Sequence, residues 1–266
     1  MQKIYNSLPI SGIAKTITDI AGIDAPKQSG ESIDIICNRA KATFEGKSAD
    51  RIFIYNPDAI ALWLFQKYTD LFEKAVINSD IQLPMRAVMP SVTPVCFASM
   101  YTGAEPSVHG IMAYEKPVIK IDTVFDAFIR AGRKPAIVST ANDSTSCIFL
   151  DRDMDYFIFD TTDECNKKAL ELIEKDEHDL IVLYNPNYDN AMHRNGPEAE
   201  IALAELSRNV ETYAVMVKKI QAHWSGHRTM IGFCPDHGCH ELDGQLGGHG
   251  LDMAEDMNVI HLFKFL

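Results

Sequence analysis

The sequence has no excess of basic residues. Its 266 residues include 25 Lys and Arg against 37 Asp and Glu, which gives a formal net charge of −12. An average surface of that sign repels nucleic acid and anionic membrane surfaces, so neither is predicted as a general partner. A small anionic substrate is compatible with this charge, because bound cations reverse the local field.

Long apolar runs and an export signal are also missing. No stretch of about 18 apolar residues is present, so no transmembrane helix is predicted. The first six residues lack the charged start, apolar core and cleavage site of a signal peptide. The six cysteines are scattered without the spacing of a disulfide framework, which predicts reduced thiols in a cytoplasmic protein.

The chain shows no internal repeat, low-complexity tract or long linker. Residues 1–50 contain two helical patterns, at about 10–22 and 32–44, separated by a polar run rich in turn residues. We expect this N-terminal segment to pack against the rest of the chain. Residues 51–266 are predicted to form the α/β domain that carries the chemistry, with the whole chain folded as one structural domain.

From residue 51, short apolar runs alternate with longer amphipathic segments. The alternation predicts a mostly parallel sheet with helices on both faces, and so a three-layer α/β/α sandwich. In such sheets, ligands bind beyond the carboxyl ends of the strands. The predicted strands are 52–55, 135–138, 179–184, 230–233 and 259–263, and the predicted helices are 58–72, 121–131 and 196–223, the last with Pro197 in its first turn.

Two pairs of Asp and His follow predicted strands. Asp236 and His237 stand side by side before Gly238 and offer a divalent cation one hard oxygen and one imidazole. Asp189 and His193 are four residues apart, so on a helix they face the same way. Taken singly, the first pair also suits an ordinary turn, and the second a capping Asp beside a surface His.

Three further polar residues suit either a structural or a functional role. Asp58 follows the first strand, where it suits a helix N-cap or a metal ligand. His249 lies in a glycine-rich loop. Thr93 lies between a strand and a helix, where the helix N-terminus attracts an anion such as phosphate. Its hydroxyl is a poor nucleophile near pH 7 unless metal ions are close.

In this order the motifs resemble those of the alkaline phosphatase superfamily, and more closely its nucleotide pyrophosphatase/phosphodiesterase branch. The resemblance covers about residues 50–262. The nucleophile segment of that branch, with a Gly ten residues later and then His-Gly-Ile, matches Thr93, Gly103 and residues 109–111. Its Asp-x-x-x-His with Gly-Pro matches residues 189–197, its Asp-His-Gly matches residues 236–238, and its late His-Gly matches residues 249–250.

The resemblance implies an alkaline-phosphatase-like fold and a two-metal phosphohydrolase that acts on small phosphorylated substrates. Phosphodiesters or phosphomonoesters would be hydrolysed through a phospho-threonine on Thr93. The mixed Asp and His ligands favour two Zn²⁺ ions, with Mn²⁺ as the alternative. One ion is implied at Asp189, His193 and His249, and the other at Asp58, Asp236, His237 and Thr93. Asp58 is preferred to Asn56 as a ligand because its side chain is anionic.

The chain departs from the pattern of the branch at a position that usually binds a phosphate oxygen. Where the branch usually has an Asn shortly after His-Gly-Ile, this chain has Met112-Ala113-Tyr114-Glu115. We therefore predict that the Tyr114 hydroxyl binds the substrate. The same departure supports a second hypothesis, a metal-binding member of the superfamily that acts as a non-catalytic binding or regulatory module.

Overall fold

A computed structural model describes residues 4–266. The first three residues, part of the segment predicted to lack a signal peptide, lie outside the described part of the chain. The described helices are α1 Gly12–Ala21, α2 Asp34–Thr43, α3 Leu62–Lys67, α4 Glu73–Ile77, α5 Thr93–Thr102, α6 Pro106–His109, α7 Val124–Arg130, α8 Ser144–Ile148, α9 Thr162–Lys175, α10 Asn187–Asn195, α11 Glu200–His223 and α12 Ala254–Met257. The strands are β1 Arg51–Pro57, β2 Ile81–Arg86, β3 Pro135–Thr140, β4 Asp155–Phe159, β5 Leu180–Asn185, β6 Thr229–Phe233, β7 His240–Leu242, β8 Leu246–Gly248 and β9 Asn258–Phe265.

Seven strands form the central sheet in the order β2-β9-β6-β1-β5-β3-β4. Strand β1 pairs in parallel with β5 and β6, and β3 pairs in parallel with β4 and β5. Only β9 runs the other way, since it is antiparallel to both β2 and β6. The mostly parallel sheet expected from the alternating pattern is confirmed. Strands β7 and β8 form a separate hairpin.

Helices cover both faces of the sheet. On β1, Ile52 and Ile54 belong to one buried apolar cluster, and Phe53 and Tyr55 belong to the cluster on the opposite face. Alternate residues of a strand point to opposite faces, so a strand that is apolar throughout requires cover on both. Each fully buried side chain of this size contributes roughly 1.5–3 kcal/mol. The three-layer α/β/α sandwich is therefore confirmed.

The N-terminal segment packs on one face of the sheet. Ile13 and Ile17 of α1 lie in the same buried cluster as Ile52 of β1. Helix α1 ends at Gly22, whose φ of 67° is the left-handed conformation typical of a helix stop. The two helices lie where the sequence predicted them, while the division of the chain at residue 50 stays a prediction.

The helix predicted to begin at Asp58 begins later. The chain turns at Ala59, which has a φ of 63°, and α3 starts at Leu62 with Ala61 as its N-cap. Asp58 is therefore not the helix cap that its position also suited. Its carboxylate accepts a hydrogen bond from Tyr184 instead, so it faces the sheet edge rather than the helix.

Two other helix starts are also corrected. The helix predicted from residue 196 begins at Glu200, because α10 occupies the chain up to Asn195 and the direction reverses at Gly196, which has a φ of 89°. The helix predicted from residue 121 begins at Val124, behind a capping box formed by Thr123 and Asp126. The ends of both helices lie close to their predicted positions.

The edge strands β2 and β4 and the hairpin β7–β8 were not predicted. Strand β2 contains Pro84, which is tolerated at the edge of a sheet but weakens the strand pattern. Strand β4 is only partly buried, although its four consecutive residues from Tyr156 to Phe159 are of types that favour a strand. Among the described helices, none combines the length and apolar character that crossing a bilayer requires.

Candidate metal centre

The predicted ligands meet at the carboxyl edge of the sheet. Asp58 follows β1, Asp189 lies in α10 directly after β5, and Asp236 and His237 follow β6. These three strands are neighbours in the sheet, with β1 in the middle. His249 approaches from the end of the hairpin β7–β8. The strand order therefore collects residues that are far apart in the chain at the edge where ligands bind in such sheets.

The side chains form two groups that have the composition of metal sites. In each group, ligand atoms from the three residues lie within 4.8 Å of one another. We call Asp58, Asp236 and His237 the buried group, and Asp189, His193 and His249 the exposed group. These are the two sets that the family resemblance implies. The role of each residue as a ligand stays a prediction.

The buried group concentrates negative charge out of contact with water. His237 Nε2 lies 3.5 Å from Asp58 Oδ1 and 3.3 Å from Asp236 Oδ2, and the three side chains are at most 2% exposed. Within residues 4–266, neither of these carboxylate oxygens has a hydrogen-bond partner. Burial raises the pKa of Asp58, with a further increase from the charge of Asp236, and burial raises the pKa of Asp236 to about 8. Buried oxygens without donors are costly, and a cation placed between them removes that cost.

The exposed group has one carboxylate facing two imidazoles. Asp189 Oδ1 lies 3.2 Å from His193 Nε2 and 3.5 Å from His249 Nε2. The His193 side chain is 41% exposed, whereas that of His249 is 7% exposed. The adjacent Asp189 carboxylate raises the pKa of His193, and burial lowers the pKa of His249. This group is therefore open to solvent on the His193 side.

All three imidazoles turn the same nitrogen towards the protein. A carbonyl oxygen only accepts hydrogen bonds, so each Nδ1 carries the proton and each Nε2 of a neutral ring carries a free lone pair. The contacts are His237 Nδ1 to Gly238 O at 2.9 Å, His193 Nδ1 to Gly247 O at 3.0 Å and His249 Nδ1 to Ser91 O at 3.0 Å. Backbone contacts of this kind orient metal-binding imidazoles in proteins.

The contact between His193 and His249 requires a positive charge. Their Nε2 atoms are 3.0 Å apart. Two lone pairs repel at that distance, so a proton or a metal ion must lie between or beside them. No Lys or Arg pairs with Asp58, Asp189 or Asp236 in the described part of the chain, so the protein itself does not neutralise these carboxylates. Both groups therefore fit divalent ions that accept oxygen and imidazole ligands.

Thr93 lies against the buried group. It is the first residue of α5 and is 3% exposed. Its Oγ1 lies 3.4 Å from Asp58 Oδ2 and 3.3 Å from His237 Nε2. Every residue of the ten-residue helix α5 is buried, so the position of the hydroxyl is tightly held. The hydroxyl predicted to be the nucleophile thus touches two predicted ligands of the same ion.

Tyr184 is a residue of the site that the sequence did not single out. It lies in β5, and its hydroxyl donates a hydrogen bond to Asp58 Oδ2. Since Asp58 Oδ1 has no partner among the described residues, this bond turns the free oxygen towards His237. A buried Tyr needs a partner for its hydroxyl, but the strand sequence does not indicate which residue that partner is.

Tyr114 and two cysteines near the site lie outside the two groups. The Tyr114 side chain is 61% exposed, and Lys116 Nζ lies 5.3 Å from its ring centroid, so its observed contact is with Lys116 rather than with a group ligand. Cys234 and Cys239, which flank Asp236 and His237, are fully buried and belong to neither group. Substrate binding by Tyr114 stays a prediction.

Comparison with known proteins finds similarity to one family over part of the chain. A family model described as type I phosphodiesterase / nucleotide pyrophosphatase matches residues 64–127. No curated protein matches the sequence significantly. Together with the solved structures described next, the family match confirms the resemblance to the alkaline phosphatase superfamily and its nucleotide pyrophosphatase/phosphodiesterase branch.

Three solved structures share the fold. Murine ectonucleotide pyrophosphatase / phosphodiesterase 5, an inactive variant in complex with AMP, is 14% identical with a TM-score of 0.61, over 74% of this chain and 59% of that chain. Its human counterpart is 12% identical with a TM-score of 0.64, over 80% of this chain and 87% of that chain. Phosphonoacetate hydrolase from Sinorhizobium meliloti, in complex with phosphonoformate, is 17% identical with a TM-score of 0.54, over 74% and 59%. The chain thus spans 59% of the length of the murine and Sinorhizobium chains.

Proposed function

We propose that the protein is a metal-dependent phosphohydrolase with Thr93 as its nucleophile. The buried and exposed groups would each hold one divalent ion, with Zn²⁺ favoured over Mn²⁺ by the mixed Asp and His ligands. The observation that carries the proposal is the contact of the Thr93 hydroxyl with Asp58 and His237, inside a cluster of carboxylates that no Lys or Arg of the described chain neutralises.

The chemistry of each residue follows from its contacts. When bound, divalent ions supply Lewis acidity that lowers the pKa of a hydroxyl and offsets charge on phosphoryl oxygens. Thr93 has one hydroxyl proton, and Asp58 Oδ2, 3.4 Å from Thr93 Oγ1, is the acceptor that would remain for it when His237 Nε2 holds an ion. As the Thr93 oxygen attacks phosphorus, its proton passes to Asp58 Oδ2, and the phosphorus–oxygen bond to the leaving group breaks, so that the leaving group departs with the bonding electron pair and takes a proton from water. Water next attacks the phospho-threonine, which frees Thr93 and releases the phosphate product.

A small phosphorylated or phosphonylated molecule is the proposed substrate class. Two proteins of the same fold support it, since the murine structure contains AMP and the Sinorhizobium structure contains phosphonoformate. With a net charge of −12, binding of such anions would depend on the ions at the two groups. A cytoplasmic location is part of the proposal, and the six free cysteines are compatible with a reducing compartment.

The direct test is hydrolysis of p-nitrophenyl phosphate and bis-p-nitrophenyl phosphate by wild-type protein and a Thr93→Ala variant, each with and without Zn²⁺ or Mn²⁺. We expect metal-dependent turnover of at least one ester and a loss of about 10³-fold or more in Thr93→Ala, because the nucleophile is absent. Thr93→Ser keeps a hydroxyl and should retain measurable activity.

Thr69→Ala serves as the matched control, because Thr69 is exposed and lies outside both groups. It should hydrolyse the esters like wild type. Full activity of Thr93→Ala would eliminate the nucleophile assignment. Wild-type protein that binds both ions but turns over neither ester would favour the non-catalytic binding module.

A further inference from the structure

We propose that Asp256 and His240 form a buried clamp that holds the two metal-binding groups at a fixed separation. We use the term clamp for these two residues only. They are positioning residues, and the inference rests on the proposed function because it presumes that both groups hold ions.

The clamp is a closed set of hydrogen bonds around one carboxylate. Asp256, in α12, has 0% exposure. Its Oδ1 lies 2.7 Å from His240 Nδ1, and its Oδ2 accepts from the Leu251 N–H at 2.8 Å. Its backbone carbonyl accepts from the Gly238 N–H at 2.7 Å. Both carboxylate oxygens are therefore engaged within the protein, so Asp256 is not itself a free metal ligand.

Each of these bonds ends close to a predicted ligand. Gly238 directly follows His237 of the buried group, and His240 is three residues beyond His237. Leu251 is two residues beyond His249 of the exposed group. One buried side chain thus connects the loop of one group to the loop of the other. The two loops lie close together, since the His237 and His249 rings stack with centroids 4.0 Å apart.

Close packing makes this arrangement rigid. A Cβ added at Gly238 would lie 2.0 Å from the carbonyl oxygen of Glu255, so only glycine allows the loop to approach α12 this closely. A buried carboxylate is a costly way to fill space, and an apolar side chain in its place is often equally stable or more so. Its engagement with two ligand-bearing loops gives the carboxylate a function in positioning.

The loop that carries His249 depends more on the clamp than does the loop that carries Asp236. Asp236 and His237 directly follow β6, a central strand of the sheet. His249 instead follows the short hairpin β7–β8, outside that sheet. Loss of the clamp should therefore weaken the exposed group and largely spare the buried group.

The experiment compares metal binding by wild type, Asp256→Ala, Asp256→Asn and His240→Ala, with Zn²⁺ titrated against a chromophoric chelator. We expect two ions in wild type, and in Asp256→Ala an affinity of the exposed group that is about tenfold to 100-fold lower, with the buried group unchanged. Asp256→Asn keeps an oxygen to accept from Leu251 and should recover part of that loss. His240→Ala should also lower the Zn²⁺ affinity of the exposed group. Glu255→Gln, which changes an exposed residue next to Asp256 on α12, should leave that affinity unchanged.

Thermal unfolding of each metal-free variant identifies folded protein, and His240→Ala and Asp256→Asn provide the result if Asp256→Ala does not fold. Equal weakening of both groups, or wild-type affinities in every folded clamp variant, would overturn the clamp while leaving the proposed function intact. Wild-type protein that binds no ion at either group would overturn the proposed function and the clamp with it.

Discussion

The buried and exposed groups both combine carboxylates and imidazoles, but they differ in their exposure to solvent. In the buried group every side chain is at most 2% exposed, whereas in the exposed group His193 is 41% exposed. The buried group has two carboxylates and one imidazole, and the exposed group has the reverse. Burial makes uncompensated charge more costly, so the buried group should depend more strongly on its ion for stability.

The largest effect is expected from Asp236→Asn in the buried group. Hydrolysis should fall about 10³-fold or more, because the ion proposed beside Thr93 would lose one of its Asp and His ligands. Above about pH 4 the metal-free variant should nevertheless be more stable than metal-free wild type, because Asn avoids the cost of protonating or burying the Asp236 carboxylate. Enzyme assays and thermal unfolding in excess chelator check the two parts separately.

The stability difference should depend on pH. The pKa of Asp236 is about 8 in the folded protein against 3.8 in a model peptide, so between these values the folded chain binds a proton that the unfolded chain has lost. The stabilising contribution of Asp236 to the free energy of unfolding is therefore full below about pH 4 and is lost as the pH rises to 8. Relative to Asp236→Asn, metal-free wild type should lose on the order of a few kcal/mol over that interval.

Two buried histidines outside the metal-binding groups do not affect this comparison. Burial lowers the pKa of His109 and of His261 to about 4, so their protonation destabilises the fold as the pH falls below 6.5. This loss of stability at low pH has the opposite sign to the effect of Asp236. It occurs in both wild type and Asp236→Asn, so it cancels when their free energies of unfolding are subtracted. Parallel stability curves for wild type and Asp236→Asn would show that Asp236 is not a source of strain.

A second prediction concerns the rate of metal release. The ion of the exposed group should leave at least about tenfold faster than the ion of the buried group, since release from the latter requires local opening. Zn²⁺ transfer to excess chelator should then show two phases. His193→Ala should remove the fast phase and leave the slow one. A single phase in wild type would mean that the difference in exposure does not control release.

The smallest effect is expected outside both groups, at Tyr114. Tyr114→Phe removes one hydroxyl, and loss of a hydrogen bond to the substrate should raise KM about 2–10-fold. Both ions should stay bound and kcat should stay near wild type, because Tyr114 is 61% exposed and its observed contact is with Lys116. Unchanged KM for both p-nitrophenyl esters would remove Tyr114 from the substrate site.

The difference between the two groups also marks what could be predicted from sequence. The family resemblance, which rests on the order of the motifs, implied the members of both groups, and the strand order explains why these residues meet at one edge of the sheet. Their unequal burial was not predicted, since it depends on how α5, α10 and the hairpin β7–β8 enclose the sheet edge. The fold class followed from the alternating pattern, but the edge strand β2 did not, because Pro84 weakens its local signal.

Tyr184 and Asp256 were missed for a related reason. Tyr184 is 126 residues from its partner Asp58, so nothing in the local sequence indicates the contact. Asp256 lies in a short segment of mixed acidic and apolar residues, and its contacts with His240 and Leu251, 16 and 5 residues away, follow no local pattern. Long-range packing, rather than local pattern, creates the polar contacts that orient the ligands.

Anomalous diffraction from crystals grown with Zn²⁺ tests the central claim most directly. Two peaks are predicted about 3.5–4 Å apart, one in the buried group and one in the exposed group. Each should lie about 2.0–2.2 Å from the Asp and His ligand atoms of its group, and the peak in the buried group should also lie next to Thr93 Oγ1. Zn²⁺ bound only elsewhere on the protein, with no peak in either group, would contradict the proposed metal centre.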